Sequence, residues 1–213
     1  MDKKQIIKHI EAESKKLLSK SKAGGHDFEH TDRVRKYAVK IAKSIRYDTF
    51  KAGLAALLHD IGNVVQRKDH GHHSSKLARR ILDKYAISNN DKQEILIAVA
   101  EHDKPYAKTK PGKILQDADK LDAMGMVGII RLFEFKANKI PAYNKKDPFK
   151  KPNVYKDSLG RRYMKISKMK YISDFAYLVL QFENMLNFKI SKKLAKPKTK
   201  LVRDLISQAK KEL

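Results

Sequence analysis

Apolar residues recur along this chain at helical rather than strand spacing, and three of the stripes end on a histidine or an aspartate that faces inward. Over 29–46 the apolar positions are Val34, Tyr37, Ala38, Ile41, Ala42 and Ile45, the i, i+3, i+4, i+7 series of an amphipathic helix. His30 stands four residues before Val34 and so points along the inward face where that helix begins. His59 follows Ala55 by four and Ala56 by three, and Asp119 follows Leu115 by four. A carboxylate turned inward without a partner is costly, and a shared cation is the simplest remedy. The pattern therefore calls for helices that bring His30, the adjacent pair His59 and Asp60, and Asp119 to one metal.

Two imidazoles and two carboxylates are a natural donor set for a single divalent ion. Imidazole suits Zn, Mn, Fe, Co and Ni, whereas carboxylate oxygen favours harder ions such as Mn and Mg. Manganese meets both preferences and is the favoured ion, ahead of Mg, Co, Ni and Fe. A mixed set leaves room for water, and water bound to such an ion ionises easily enough to act near neutral pH. The chemistry indicated is metal-assisted hydrolysis, with Asp60 indispensable as a ligand.

The text around these positions reads "HDFEHTDRV" at 26–34, "LAALLHDIGN" at 54–63, "DHGHHSSKLARRIL" at 69–82 and "ILQDADKLDAMGMVGI" at 114–129. These four blocks, in order, resemble the H…HD…D signature of the HD-domain metal-dependent phosphohydrolases, in particular small bacterial and archaeal HD hydrolases. The resemblance runs from about Lys22 to Phe135. It implies an all-α HD-domain bundle, a single domain over 1–213 with its motif core at 22–135, a basic loop at 136–165 and C-terminal helices over 166–213. It also implies a phosphorylated substrate. The branch this sequence looks closest to suggests a nucleoside triphosphate pyrophosphohydrolase or a nucleotidase, although "RYMKISKM" at 162–169 departs from that branch's usual segment.

Other polar residues of the motif core divide between substrate and support. Arg33 stands one turn past His30 and could meet a substrate phosphate, or else pair with Asp32, Asp117 or Asp122. Lys120 has the same two readings. His26 stands where proteins resembling this one carry a His-Asp pair, in a position to orient the metal ligands; Asp27 reads as a helix N-cap. His70, His72 and His73 cluster between the HD pair and the next helix, and His102 ends an inward stripe at Ala98 and Val99. In relatives with two metals the extra histidines come from these regions. The favoured roles for His70 and His102 are phosphate contact and proton donation to the leaving group, with a second metal as the lesser reading. Asp122, three residues after Asp119, is placed to hold His30 or Lys120. Gly125 and Gly128 let two helices approach, and no Gly-Lys-Ser/Thr follows to make a phosphate loop.

Helices are expected over 2–20, 29–46, 48–60, 74–86, 90–103, 111–122, 124–137, 167–190 and 200–212, the last capped by Thr199 after Pro197. The net charge of +24 is concentrated in two stretches, 136–165 and 189–212, while the motif core is close to ordinary. Lysine far outnumbers arginine there, which favours a solvated surface over a nucleic-acid track. A nuclease or phosphodiesterase acting on single strands is the alternative, with Tyr143, Phe149, Tyr155 and Tyr163 among the lysines for stacking. Cysteine is absent, no apolar run reaches the ~20 residues of a transmembrane helix, and no leader is recognisable. A cytoplasmic location and no membrane partner are expected.

Overall fold

A computed structural model of the protein describes residues 1–20, 27–66, 68–136, 139–148, 150–156, 162–163 and 168–212. The chain folds as two compact units, Met1–Asp122 and Ala123–Leu213. The described residues are helical apart from loops and one two-residue ladder, so the fold class is all-α.

The first unit holds α1 (Lys3–Leu18), α2 (Phe28–Ser44), α3 (Thr49–Leu58), a 3₁₀ turn (Ile61–Val64), α4 (His70–Leu82), α5 (Asn89–Glu101) and α6 (Lys110–Asp122). Side chains just ahead of α1, α2, α3 and α5 (Asp2, Asp27, Asp48 and Ser88) accept hydrogen bonds from backbone N–H groups of the first turn. Each such cap contributes about 1 kcal/mol. Past Thr49 and Lys51 in its first turn, helix α3 is apolar on every side, and Leu54, Leu57 and Leu58 have no exposed surface. A helix of that kind is stable only when surrounded, and α3 packs against α1, α2, α5 and α6. Burying each leucine contributes roughly 1.5–3 kcal/mol. Ser14 Oγ of α1 donates to Leu57 O across 2.8 Å, closing the N-terminal side of the cage. The end of α3, where His59 and Asp60 follow, is thus carried into the core with almost no exposure.

Helix α4 begins at His70, four residues earlier than the composition of "HGHH" suggests. Asp69 turns the chain there with a left-handed φ of 54°. Gly71 N donates to Asp103 Oδ2 at 3.3 Å. Packing against the end of α5 overrides the weak helix propensity of Gly-His-His.

The second unit holds α7 (Gly125–Lys136), the strands β1 (Tyr155–Lys156) and β2 (Arg162–Tyr163), α8 (Asp174–Met185) and α9 (Lys189–Glu212). The strands pair antiparallel within the segment expected to be loop. The long helix expected over 167–190 is corrected: α8 starts at Asp174, and Leu186, extended at ψ 135°, ends it. A new start at Thr199 is also corrected, because α9 runs through Pro197. Proline removes one N–H and its bond to the carbonyl four residues back, but that carbonyl belongs to exposed Lys193, where water can replace the donor. Ser191, Ala195, Thr199 and Val202 continue one buried stripe past the proline, and packing against α7 and α8 holds the helix together. Thr199 Oγ1 donates back to Ala195 O and Lys196 O at 3.3 and 3.2 Å.

Gly125 has φ 76°, a conformation glycine adopts readily, and faces Lys198 of α9. Gly128 instead sits against the carbonyl of Ala123, two residues ahead of its own helix, so only one of the pair meets a second helix. Among the described residues no helix is long and apolar enough to cross a membrane.

Candidate metal centre

Three segments of the first unit converge on one spot. His30 enters from the first turn of α2, where Asp27 caps the helix by accepting from His30 N at 2.7 Å. His59 and Asp60 come from the end of α3, and Asp119 from the penultimate turn of α6. His30 Nε2 lies 3.3 Å from His59 Nε2, 3.4 Å from Asp60 Oδ2 and 3.5 Å from Asp119 Oδ1. His59 Nε2 is 3.5 Å from Asp60 Oδ2. Donors bound at ~2.1 Å to one ion are separated by ~3.4 Å in a tetrahedron and ~3.0 Å in an octahedron. The observed spacings fall near these values.

The far side of each ring shows why a cation fits. His59 Nδ1 lies 2.7 Å from Ala56 O, which can only accept, so Nδ1 carries the proton and Nε2 presents its lone pair. His30 Nδ1 lies 2.8 Å from Asp122 Oδ2, with the same consequence. Two lone pairs and two carboxylates, all of them acceptors, therefore face one another. Burial pushes the His59 imidazole down to about 4, so it does not supply a proton at neutral pH. A divalent ion would satisfy all four groups, and His30, His59, Asp60 and Asp119 are the residues that would hold it. Asp119 keeps 35% of its side chain exposed, which opens the spot on one side.

The shift at His59 has a measurable sign. The unfolded imidazole takes up a proton near its ordinary ~6.5, the folded one only near 4. His59 therefore contributes stability fully present above pH ~6.5 and lost as pH falls through about 4. Metal-free protein should melt progressively lower over this window, and His59→Leu should flatten that dependence; thermal melts at several pH values read both.

A second group adjoins the first through Asp60. His102, the residue closing α5, donates from Nδ1 to Val99 O at 2.6 Å and turns Nε2 toward His70 Nε2, 3.0 Å away. Asp60 Oδ1 stands 3.3 Å from His70 Nε2 and 3.7 Å from His102 Nε2, while its Oδ2 serves His30 and His59. The neighbouring rings His30–His59, His59–His102 and His70–His102 stack edge-on with centroids 5.2, 5.0 and 4.9 Å apart. Burial opposes protonation of His102, but the hydrogen bond and charge of Asp60 outweigh it and hold the imidazole above its ordinary range. His59, Asp60 and His102 also form a trio close enough to share an ion.

Arg33 places its fork on Asp122, Nε to Oδ1 at 2.7 Å and Nη2 to Oδ2 at 3.3 Å. Asp122 thereby joins Arg33 to His30. Lys120 sits next to Asp119 on α6, where burial draws its ammonium below the ordinary range against the charges of Asp119 and Asp117. His72 and His73 stack on each other instead, at 5.9 Å between centroids. His26 lies outside the described residues.

Two supports of the site are not evident from sequence. Gly62 lets the 3₁₀ turn press onto α4: a Cβ there would run into Ser74 N and His70 O, and Gly62 N donates to Ser74 Oγ at 2.8 Å. Asp103 braces the other side of His70, with Oδ2 4.0 Å from its Nδ1. The glycine after "HDI" is the one sequence signal for the first; Asp103 reads from sequence only as a neighbour of His102.

Comparison with known proteins bears on the family and the fold. The HD domain family model matches residues 27–124. The uncharacterized protein YpgQ of Bacillus subtilis (strain 168) is 31% identical over 120 residues, 53% of this chain and 58% of that one, so the match spans a little over half of that relative. The crystal structure of B. subtilis YpgQ in complex with ADP superposes with a TM-score of 0.71 at 23% identity, covering 100% of this chain and 97% of that one. An HD-superfamily hydrolase from Bacillus thuringiensis superposes at 0.74 and 24% identity, covering 99% and 98% of the two chains. The Lin1889 protein of Listeria innocua does so at 0.73 and 25%, covering 100% and 97%.

Proposed function

We propose that this chain, whose residues 27–124 match the HD domain family model and whose fold is that of an HD-superfamily hydrolase, is a metal-dependent phosphohydrolase acting on nucleotides. The observation that carries this reading is the meeting of two imidazole lone pairs and two carboxylates, with His30 Nε2 and His59 Nε2 3.3 Å apart. A divalent ion bound there, manganese by preference, would supply an acidified water able to attack phosphorus. The bound ADP of the YpgQ crystal structure supports a nucleotide as the substrate, as a nucleoside triphosphate cut to monophosphate and pyrophosphate or as a nucleotidase substrate.

In this reading the chain's own groups divide the work. His70 and His102, on the far oxygen of Asp60, donate to substrate phosphate and return a proton to the leaving oxygen. Arg33 adds countercharge at the rim, being partly exposed beyond Asp122. Lys120 supplies a second point charge beside Asp119.

The test is a panel of nucleoside mono-, di- and triphosphates and a generic phosphate ester, each with Mn, Mg, Co or Ni. Turnover of a nucleotide that vanishes on metal removal and returns with one of these ions is expected; hydrolysis of none would sink the reading. Degradation of single-stranded oligonucleotide in preference to nucleotides would favour the phosphodiesterase alternative. Arg33→Ala should keep the metal, by elemental analysis, while lowering turnover roughly tenfold. Metal loss in that variant would make Arg33 a support of His30 and not a substrate contact.

A further inference from the structure

The second unit contains a cavity of about 280 Å³ whose lining includes none of the metal donors. One wall is the basic segment with Lys150, Lys151 and Tyr155, the other the stretch with Lys168, Lys170 and Tyr171 ahead of α8. Composition alone reads these lysines as a solvated run. The fold gathers four of them around one hollow, and backbone bonds fix it: Ile172 N and Ser173 N each donate at 2.9 Å, to Pro141 O and Ala142 O.

Two carboxylates, Asp147 and Asp174, also line the hollow and must be counted against the lysines. Asp174 is buried and already accepts from Lys170 N and Tyr171 N at 2.9 and 3.2 Å. The first N–H groups of α8 are likewise spent on backbone carbonyls. Recognition therefore falls to the four exposed ammonium groups. An ammonium is a compact charge with three donors that suits phosphate oxygens. Counted against the two carboxylates, the four ammonium groups leave two net positive charges and a surplus of N–H donors, more than one monoanion needs, and suit a compact group carrying several negative charges. Tyr155 and Tyr171 add one ring to each wall.

We propose that this cavity is an accessory binding site for a small polyphosphate group, free or as the phosphate tail of a nucleotide, separate from the metal centre. The two sources share the recognition by lysine, and the rings give the nucleotide an additional contact.

Full-length protein, stripped of metal and dialysed so that no ion at the metal centre holds phosphate, is titrated calorimetrically with inorganic tripolyphosphate and with ATP at about 0.15 M salt. Saturable binding is expected. Lys150→Gln with Lys170→Gln should weaken it about tenfold. Lys192→Gln with Lys193→Gln, which removes the same charge from α9, should change it less than about twofold. Unchanged melting temperatures keep folding out of the comparison, since all four side chains are exposed. Tighter binding of ATP than of tripolyphosphate would assign the tyrosines to the base, and equal binding would assign the site to phosphate alone. Absence of saturable binding overturns the proposal, as does equal weakening by both lysine pairs. So does a short oligothymidylate that binds more tightly than either probe, which would make the segment a nucleic-acid surface. None of these results depends on hydrolysis.

Discussion

Asp60→Ala should abolish hydrolysis of every substrate, by about a thousandfold or more, and release the metal as well. The size of the effect follows from the position of the side chain. One oxygen faces His30 and His59 at 3.4 and 3.5 Å and the other faces His70 and His102 at 3.3 and 3.7 Å. Alanine removes a donor from the first group and leaves four imidazoles crowded around a hole. Metal content by elemental analysis and turnover on the best nucleotide should fall together. A variant that kept a full complement of metal and measurable turnover would show that the ion, if bound, lies elsewhere.

Gly62→Ala is the second large effect, and it acts through backbone alone. The added methyl meets backbone first: Ser74 N and His70 O, both main-chain atoms of α4, with Ser74 Oγ beside them. The 3₁₀ turn and α4 must separate, which stretches the bond from Gly62 N to Ser74 Oγ and draws His70 off Asp60. Overpacking of this kind costs about 1–3 kcal/mol. A displacement near 1 Å at a reacting group lowers turnover about a hundredfold. The expected result is a lower melting temperature with metal retained, because no ligand of the first group is touched, and a steep drop in turnover. Full activity would exclude His70 from the chemistry.

What is legible in the sequence follows from period. The spacing of Val34, Ala38 and Ile41 aims His30 inward, and His30 has no exposed surface. The helical class and the HD resemblance rest on the same short-range regularities, strengthened by four ordered blocks. What period cannot reveal is how separate elements touch. Arg33 and Asp122 are 89 positions apart, and nothing local couples them. The contact of Gly71 with Asp103, which makes "HGHH" helical, spans 32. Pro197 misleads for a related reason: local chemistry says stop, but the stripe Ser191, Ala195, Thr199 and Val202 is held by neighbouring helices.

The pairing of Arg33 and His30 on Asp122 has a consequence for how the centre answers to its occupants. A single carboxylate divides its charge between a guanidinium and the N–H of an imidazole. When an anion at the rim draws the guanidinium away, Asp122 turns wholly to His30 and makes that ring a stronger base and a better donor to a cation. The converse holds by thermodynamic reciprocity: a cation that pulls electron density from His30 tightens the imidazole's hold on Asp122 and frees Arg33 for the anion. A cation held by His30 and an anion met by Arg33 would thus strengthen each other's binding through a side chain that neither touches.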